Sequence, residues 1–140
     1  MDAEKLVSAA RGALDAAYAP YSEYRVSAAL LAADGTVYTG CNVENANYSN
    51  SLHAEEVALG SALADGTRTF EAIAVSSAAR DGVTPCGMCR QTLAEFCDAH
   101  FPVYCDAGDG EDVSAAGVTT HRLGELLPET IGAGHLGVEP

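Results

Sequence analysis

Two short clusters of metal-binding side chains constrain the fold of this chain more than any other feature. The first cluster is His53-Ala54-Glu55, and the second is Pro85-Cys86-Gly87-Met88-Cys89. Each lies where a predicted strand leads into a segment with helical periodicity, so both stand near predicted helix N-termini. Adjacent helix N-termini can converge above the ends of a sheet. The sequence therefore favours a fold in which two helices bring these clusters together.

The remaining periodic segments supply the strands and helices of such a fold. Runs at 25–33 and 36–41 flank Asp34-Gly35, a dipeptide typical of tight hairpin turns. Helices are predicted at 3–18, 52–64, 87–100 and 123–127, and further strands at 72–76, 103–105 and 118–121. Helices that alternate with strands after an initial hairpin indicate an α/β class. We expect one domain spanning 1–140, a three-layer α/β/α arrangement with a mixed sheet of about five strands.

The charge of the chain argues against a nucleic-acid partner. Twenty Asp and Glu residues face only seven Lys and Arg, which gives a net charge of -13, and no stretch is basic. Such a field repels phosphate backbones. We therefore expect a small neutral molecule, bound in a local pocket, as the substrate.

The composition also indicates where the protein acts. No apolar run approaches the roughly 20 residues that cross a bilayer, and the N-terminal residues lack the pattern of a signal peptide. We expect a cytoplasmic protein without a membrane partner. Five cysteines are an odd number, which disfavours a full disulfide framework and leaves metal binding as the better interpretation of the closely spaced pair.

The two clusters have the chemistry of a catalytic zinc site. His53, Cys86 and Cys89 offer an imidazole and two thiolates, and three protein ligands leave the fourth tetrahedral position open. We expect one Zn²⁺ per chain there. The helix dipoles are expected to lower the pKa of both thiols. Glu55, beside the ligands, is the candidate catalytic residue and proton shuttle.

An H-x-E motif followed by P-C-x-x-C is the pattern of zinc-dependent deaminases. Beyond these motifs, the chain resembles the small homotetrameric type of the cytidine/deoxycytidylate deaminase family from about residue 17 to residue 128. The further matching segments are Tyr21-Ser22-Glu23-Tyr24-Arg25-Val26, Gly40-Cys41-Asn42-Val43-Glu44-Asn45-Ala46-Asn47-Tyr48, Cys89-Arg90-Gln91, Glu95-Phe96 and Glu125-Leu126-Leu127-Pro128. The resemblance implies hydrolytic deamination of cytidine, and of 2'-deoxycytidine, to uridine and ammonia by a zinc-activated water.

The resemblance also assigns six residues to substrate binding: Tyr24, Asn42, Glu44, Asn45, Tyr48 and Ala54. Asn42, Glu44 and Asn45 form the set directed at the ribose. The backbone around Ala54 is expected to hold the pyrimidine carbonyl, and the Tyr24 ring to pack against base or sugar. Tyr48 is expected to serve the site of a neighbouring subunit in a homotetramer.

Four positions depart from the pattern of the small tetrameric type. His53 stands where these proteins usually carry Cys, and Glu56 where they usually carry Arg. In that family the Arg offsets the charge of a third thiolate, so a neutral imidazole makes its loss chemically coherent. Tyr24 replaces a usual Phe, and Ile131 stands near a usual aromatic.

Two alternative functions are compatible with the sequence. A deaminase of the same fold acting on another cytosine nucleoside, such as the blasticidin type, is one, and Glu56 leaves it open. A zinc-stabilised binding module without turnover is the other. It requires a fourth protein ligand, which His100 or Cys105 would have to supply.

Overall fold

A computed structural model describes all 140 residues of the chain. Its centre is one sheet of five strands: β1 (Val26–Ala32), β2 (Val37–Cys41), β3 (Phe70–Ser77), β4 (Pro102–Asp106) and β5 (Val118–Arg122). The strand order is β2-β1-β3-β4-β5. Strands β3 and β4 are parallel, and every other neighbouring pair is antiparallel. The β1–β2 hairpin turns at Gly35, whose φ of 92° is a left-handed conformation that glycine adopts without strain.

Four α-helices complete the fold: α1 (Ala3–Ala13), α2 (Ala54–Ala64), α3 (Gly87–Ala94) and α4 (Leu123–Leu126). Successive side chains of a strand point to opposite faces of the sheet. In β1, Ala29 and Leu31 pack with residues of α1 in one buried cluster, whereas Ala28 and Leu30 pack with residues of α2 and α3 in a second one. The sheet is therefore covered on both faces, which confirms the predicted α/β fold with a mixed five-stranded sheet.

A glycine on β2 fixes the position of α2. A Cβ atom at Gly40 would overlap backbone atoms of Ala54 and Ala58, because the helix packs directly against the strand at this point. Only a residue without a side chain permits such a close approach. Gly40 thus places the N-terminus of α2, and the residues that precede it, beside the end of β2.

All four predicted helices are shorter in the structure, and two of them end several residues earlier than predicted. Helix α1 ends at Ala13 and is followed by a 3₁₀ turn at Leu14–Ala16. Helix α3 ends at Ala94, after which the Asp98 carboxylate accepts the backbone N–H of His100 at 2.8 Å. That local bond favours a turn over continued helix and redirects the chain into β4. None of the helices is long and apolar enough to cross a membrane.

Candidate active site

The three predicted metal ligands meet at the N-termini of α2 and α3. His53 is the N-cap residue of α2, Cys86 is the N-cap residue of α3, and Cys89 lies in the first turn of α3. The Nδ1 atom of His53 lies 3.2 Å from the Cys86 sulfur and 3.3 Å from the Cys89 sulfur. One nitrogen and two sulfur donors, all within 4.8 Å of one another, are a donor set that fits Zn²⁺.

The ligand cluster contains three residues, without a fourth. His100 is exposed and its ring nitrogen lies 3.3 Å from an Arg122 guanidinium nitrogen, while Cys105 is buried within β4. Neither belongs to the cluster. A structural zinc site normally closes with four protein ligands, whereas a catalytic one leaves a position open. The donor set is therefore that of a catalytic centre.

The thiol of Cys89 differs from the expectation drawn from helix dipoles. Its burial raises its pKa, and the nearby charges of Glu55 and Cys86 raise it further. Desolvation of the thiolate is the largest cause of this rise. A dication bound at the cluster would hold a buried thiol of this kind in its deprotonated form.

Glu55 lies in the first turn of α2 and is only 6% exposed. Burial raises the pKa of its carboxyl group, and this effect outweighs the opposing influence of its own backbone N–H, His53 and Cys89. A raised pKa brings a carboxyl group closer to the working pH of an enzyme, which favours general acid–base catalysis. The arrangement places a candidate acid–base group directly beside the three ligands.

A cavity of about 280 Å³ is lined by Glu55 and by two of the ligands, His53 and Cys86. Of the residues predicted to bind substrate, it is lined by Tyr24, Asn42, Glu44 and Ala54. The sequence did not single out four other lining residues: Ser22, Val26, Val83 and Thr84. Val83 and Thr84 shortly precede Cys86, while Ser22 and Val26 flank Tyr24. Ser22 and Val26 also belong to a segment that resembles the family, whereas proximity to Cys86 is the only signal for Val83 and Thr84.

Asn42 shapes one wall of the cavity through two backbone contacts. Its Oδ1 atom accepts the N–H of Val26, and its Nδ2 atom donates to the carbonyl oxygen of Tyr24, both at 2.9 Å. An amide group has two lone pairs on oxygen and two hydrogens on nitrogen. One acceptor site and one donor site of Asn42 therefore stay free of these contacts.

Glu44 stabilises the same wall of the cavity through its contacts with Tyr21 and Ser22. Its Oε1 atom accepts the backbone N–H groups of Tyr21 and Ser22 at 2.9 and 3.1 Å, and Oε2 accepts the Ser22 hydroxyl. The hydrogen bonds from Ser22, and then that from Tyr21, lower the pKa of the Glu44 carboxyl. Glu44 is therefore an ionised acceptor at neutral pH.

Asn45 and Tyr48 do not line this cavity. The Oδ1 atom of Asn45 accepts the N–H of Asn47 at 2.9 Å, which stabilises a local turn. Tyr48 is 74% exposed, and its ring packs edge-on against Tyr21 at a centroid distance of 5.8 Å. Within one chain, both side chains lie apart from the site of Glu55.

Comparison with known proteins assigns the site to a class and the chain to a family. The site is that of a zinc-dependent hydrolytic deaminase. The family described as the cytidine and deoxycytidylate deaminase zinc-binding region matches residues 1–105, and the chain belongs to this family. The three-ligand cluster and the buried Glu55 both lie within the matched region.

Individual relatives agree with this assignment. The chain is 48% identical to a cytidine deaminase from Sporosarcina psychrophila over 83% of this chain and 87% of the relative. It is 42% identical to a cytidine deaminase from Halalkalibacterium halodurans, over 91% of this chain and 92% of the relative. A crystal structure of cytidine deaminase from Burkholderia pseudomallei superposes with a TM-score of 0.82 at 41% identity, covering 94% of this chain and 100% of that chain.

Proposed function

We propose that this protein catalyses the hydrolytic deamination of cytidine, and of 2'-deoxycytidine, to uridine and ammonia. The observation that carries the proposal is the buried Glu55 beside three metal ligands, in a cavity that Glu55, His53 and Cys86 line. The relatives named cytidine deaminase, which match most of the chain, support the same substrate.

His53, Cys86 and Cys89 would hold a zinc ion, and the bound ion would supply a Lewis acid that acidifies water and stabilises developing negative charge. Glu55 takes a proton from the attacking water and delivers it to N3 of the pyrimidine while the water oxygen adds to C4. Glu55 then transfers the second proton to the departing amine. Cytidine and water thereby yield uridine and ammonia, and the carboxylate is regenerated.

The walls of the cavity bind the rest of the nucleoside. The free donor and acceptor sites of Asn42 and the ionised Glu44 are suited to ribose hydroxyls. The backbone around Ala54 holds the pyrimidine carbonyl, and the Tyr24 ring packs against base or sugar. Asn45, which lies outside this cavity, stabilises the turn that follows Glu44. These residues recognise a neutral nucleoside and provide no cation for a phosphate.

We further propose that the protein is a homotetramer in which Tyr48 serves the site of a neighbour. A second cavity lies beside the first and is lined by Tyr21, Ser22, Glu44, Tyr48 and Ser51. Ser22 and Glu44 line both cavities, so a subunit seated on the exposed Tyr48 lies next to the ribose-binding wall. Light scattering of active protein tests this assembly, and a fully active monomer would contradict it. A cytoplasmic role in pyrimidine salvage accords with the substrate.

The deciding experiment is ammonia release from cytidine before and after treatment with a zinc chelator, followed by readdition of zinc. Activity that disappears with the metal and returns with it supports the proposal. Turnover of 2'-deoxycytidine and blasticidin in parallel distinguishes the nucleoside specificity. A zinc-bound protein that releases no ammonia from any of the three would favour the non-catalytic binding module.

A further inference from the structure

A hydrogen bond joins two walls of the cavity that come from distant parts of the sequence. The Tyr24 hydroxyl donates to Oδ2 of Asp81 at 2.6 Å. Asp81 also accepts the Ser77 hydroxyl through Oδ1 at 2.9 Å. Because Ser77 ends β3, Asp81 connects the Tyr24 ring to the sheet itself.

Both sides of this bond reach the substrate cavity. Tyr24 lines it from the segment that precedes β1. Val83 and Thr84, which follow Asp81 in the loop between β3 and α3, line it from another side. The same loop leads directly to the metal ligand Cys86. The bond therefore holds the segment before β1 and the loop before α3 in one relative position.

The backbone of Tyr24 is fixed independently of its hydroxyl group. Its N–H donates to the Ser22 hydroxyl at 3.0 Å, and its carbonyl oxygen accepts from Asn42 at 2.9 Å. The side chain lies at the surface of the cavity, since Tyr24 is 36% exposed as a residue. The hydroxyl bond is therefore a contact that orients the ring and links it to the Asp81 loop, while two separate bonds hold the main chain at Tyr24.

The acceptor is suited to this role. The hydrogen bonds from Tyr24 and Ser77 lower the pKa of the Asp81 carboxyl, which is therefore ionised at neutral pH. A hydrogen bond to a charged acceptor is stronger than one between neutral groups. The Phe that usually occupies the position of Tyr24 in the resembling family has no hydroxyl with which to make this bond.

We propose that Asp81 is a positioning residue which, through the Tyr24 hydroxyl, holds the aromatic wall of the cavity against the loop before Cys86. The consequence is tighter binding of the nucleoside, with little effect on the proton transfers of Glu55. This inference rests on the proposed deamination of cytidine. Loss of the Tyr24–Asp81 bond is therefore expected to change KM, whereas kcat depends on Glu55 and the metal ligands.

The test is a set of variants with a matched control elsewhere in the protein. Tyr24→Phe removes only the hydroxyl and is expected to raise KM for cytidine roughly 3- to 10-fold, the range of a lost hydrogen bond, with kcat within about twofold. Asp81→Ala is expected to raise KM at least as much, and Asp81→Asn to rescue part of the loss because its amide oxygen still accepts. Tyr38→Phe is the control, since its hydroxyl bonds Asp65 at 2.5 Å outside the cavity.

The double variant separates a shared function from two unrelated ones. Tyr24→Phe combined with Asp81→Ala is expected to match Asp81→Ala alone, because the hydroxyl no longer has its partner. Additive effects on KM, or an unchanged KM in Tyr24→Phe, would overturn the proposal. Equal changes in the Tyr38→Phe control would also overturn it.

A measurement that needs no substrate tests this inference independently of the proposed function. Amide hydrogen exchange in the 79–84 loop is expected to be faster in Tyr24→Phe than in wild type, and unchanged in Tyr38→Phe. If wild type releases no ammonia from cytidine, the proposed function fails, yet the exchange comparison still decides whether the bond holds the loop. Unchanged exchange in Tyr24→Phe rejects the positioning role by itself.

Discussion

Glu56 accepts the backbone N–H of the metal ligand His53 through Oε1 at 2.9 Å. This N–H belongs to the N-cap position of α2, where a helix has no internal hydrogen-bond partner for it. A carboxylate in the first turn also interacts favourably with the helix dipole. The residue that departs most from the charge pattern of the resembling family thus stabilises the turn that presents His53 and Glu55.

Replacing Glu56 should therefore affect both the helix and the metal. Glu56→Ala is expected to lower the free energy of unfolding by about 1 kcal/mol, as loss of a helix cap does, and to weaken zinc retention. Urea denaturation and competition with a chromogenic chelator measure the two effects. Glu56→Gln keeps an oxygen acceptor and should stay close to wild type. If Gln behaves like Ala, the negative charge matters and the capping bond does not.

Removal of any one metal ligand should abolish both zinc binding and turnover. His53→Ala, Cys86→Ala and Cys89→Ala are each expected to lose the metal, because the cluster has no fourth protein ligand to compensate. Metal analysis by mass spectrometry measures the zinc content, and an ammonia-release assay measures turnover. Cys41→Ala is the matched control, since this cysteine lies on β2 outside the cluster. A ligand variant with full zinc occupancy would exclude that residue from coordination.

Glu55→Gln should separate metal binding from catalysis. The amide preserves the shape of the buried side chain but cannot transfer protons, so zinc content and folding are expected to stay intact. Turnover should fall by a factor of ~10²–10⁴, the typical contribution of general acid–base catalysis. Steady-state kinetics on zinc-loaded protein provide the measurement. Retention of most of the activity would mean that another group moves the protons.

The sequence predicted the parts of this molecule that depend on local patterns. Asp34-Gly35 indicated the hairpin, and the ligand spacing indicated two helix N-termini, because turn preferences and helix periodicity are encoded within a few residues. The lining role of Thr84 and the bond between Tyr24 and Asp81 depend on the path of a loop and on contacts across 57 positions of sequence. No local pattern encodes such contacts.

The pKa of Cys89 illustrates a second limit of sequence reasoning. Its place at a helix N-terminus predicted a lowered pKa, since the dipole stabilises a thiolate there. The structure shows that the thiol is fully buried beside Glu55, and burial raises its pKa. Position along a helix is readable from sequence, whereas desolvation depends on everything that packs around the group.

The buried pair of Asp106 and Arg11 should make stability sensitive to acid. Arg11 Nε lies 2.6 Å from the Asp106 carboxylate, which is fully buried. Burial alone raises the pKa of Asp106, but hydrogen bonds from Arg11 and Ser76 outweigh it and lower the pKa. The stabilisation is therefore complete above the ordinary carboxyl pKa of about 4 and is lost as the pH falls through the lower value of the folded state.

Asp106→Asn is accordingly expected to destabilise the protein near neutral pH by about 3 kcal/mol, as for a broken buried pair. Asp15→Asn is the control, because Asp15 and Arg25 form an exposed pair at 3.7 Å that should contribute little. Urea denaturation between neutral pH and pH 3 provides the free energies. The wild type should lose more stability than Asp106→Asn over the acid range, and equal losses would contradict the assignment.

We expect His53 and Glu56 to act as one electrostatic unit. A neutral imidazole with two thiolates balances the charge of Zn²⁺, whereas His53→Cys adds a third negative ligand beside Glu55 and Glu56. That variant is expected to lose roughly 10-fold or more in kcat/KM, a magnitude typical of changes that alter the environment of a metal. Adding Glu56→Arg should recover part of the loss, because the guanidinium pairs with thiolates.

Glu56→Arg gains a cation and loses a helix cap at once, so the experiment needs a control for the lost cap. Glu56→Ala in the His53→Cys background loses the cap and the negative charge without gaining the cation. A cycle of kcat/KM over these variants, measured on zinc-loaded protein, isolates the contribution of the cation. Arg should restore more activity than Ala in the His53→Cys background, and the opposite order should hold when His53 is present. If Arg and Ala prove equal in the His53→Cys background, charge compensation is wrong, and the imidazole must be favoured for its shape or its single nitrogen contact.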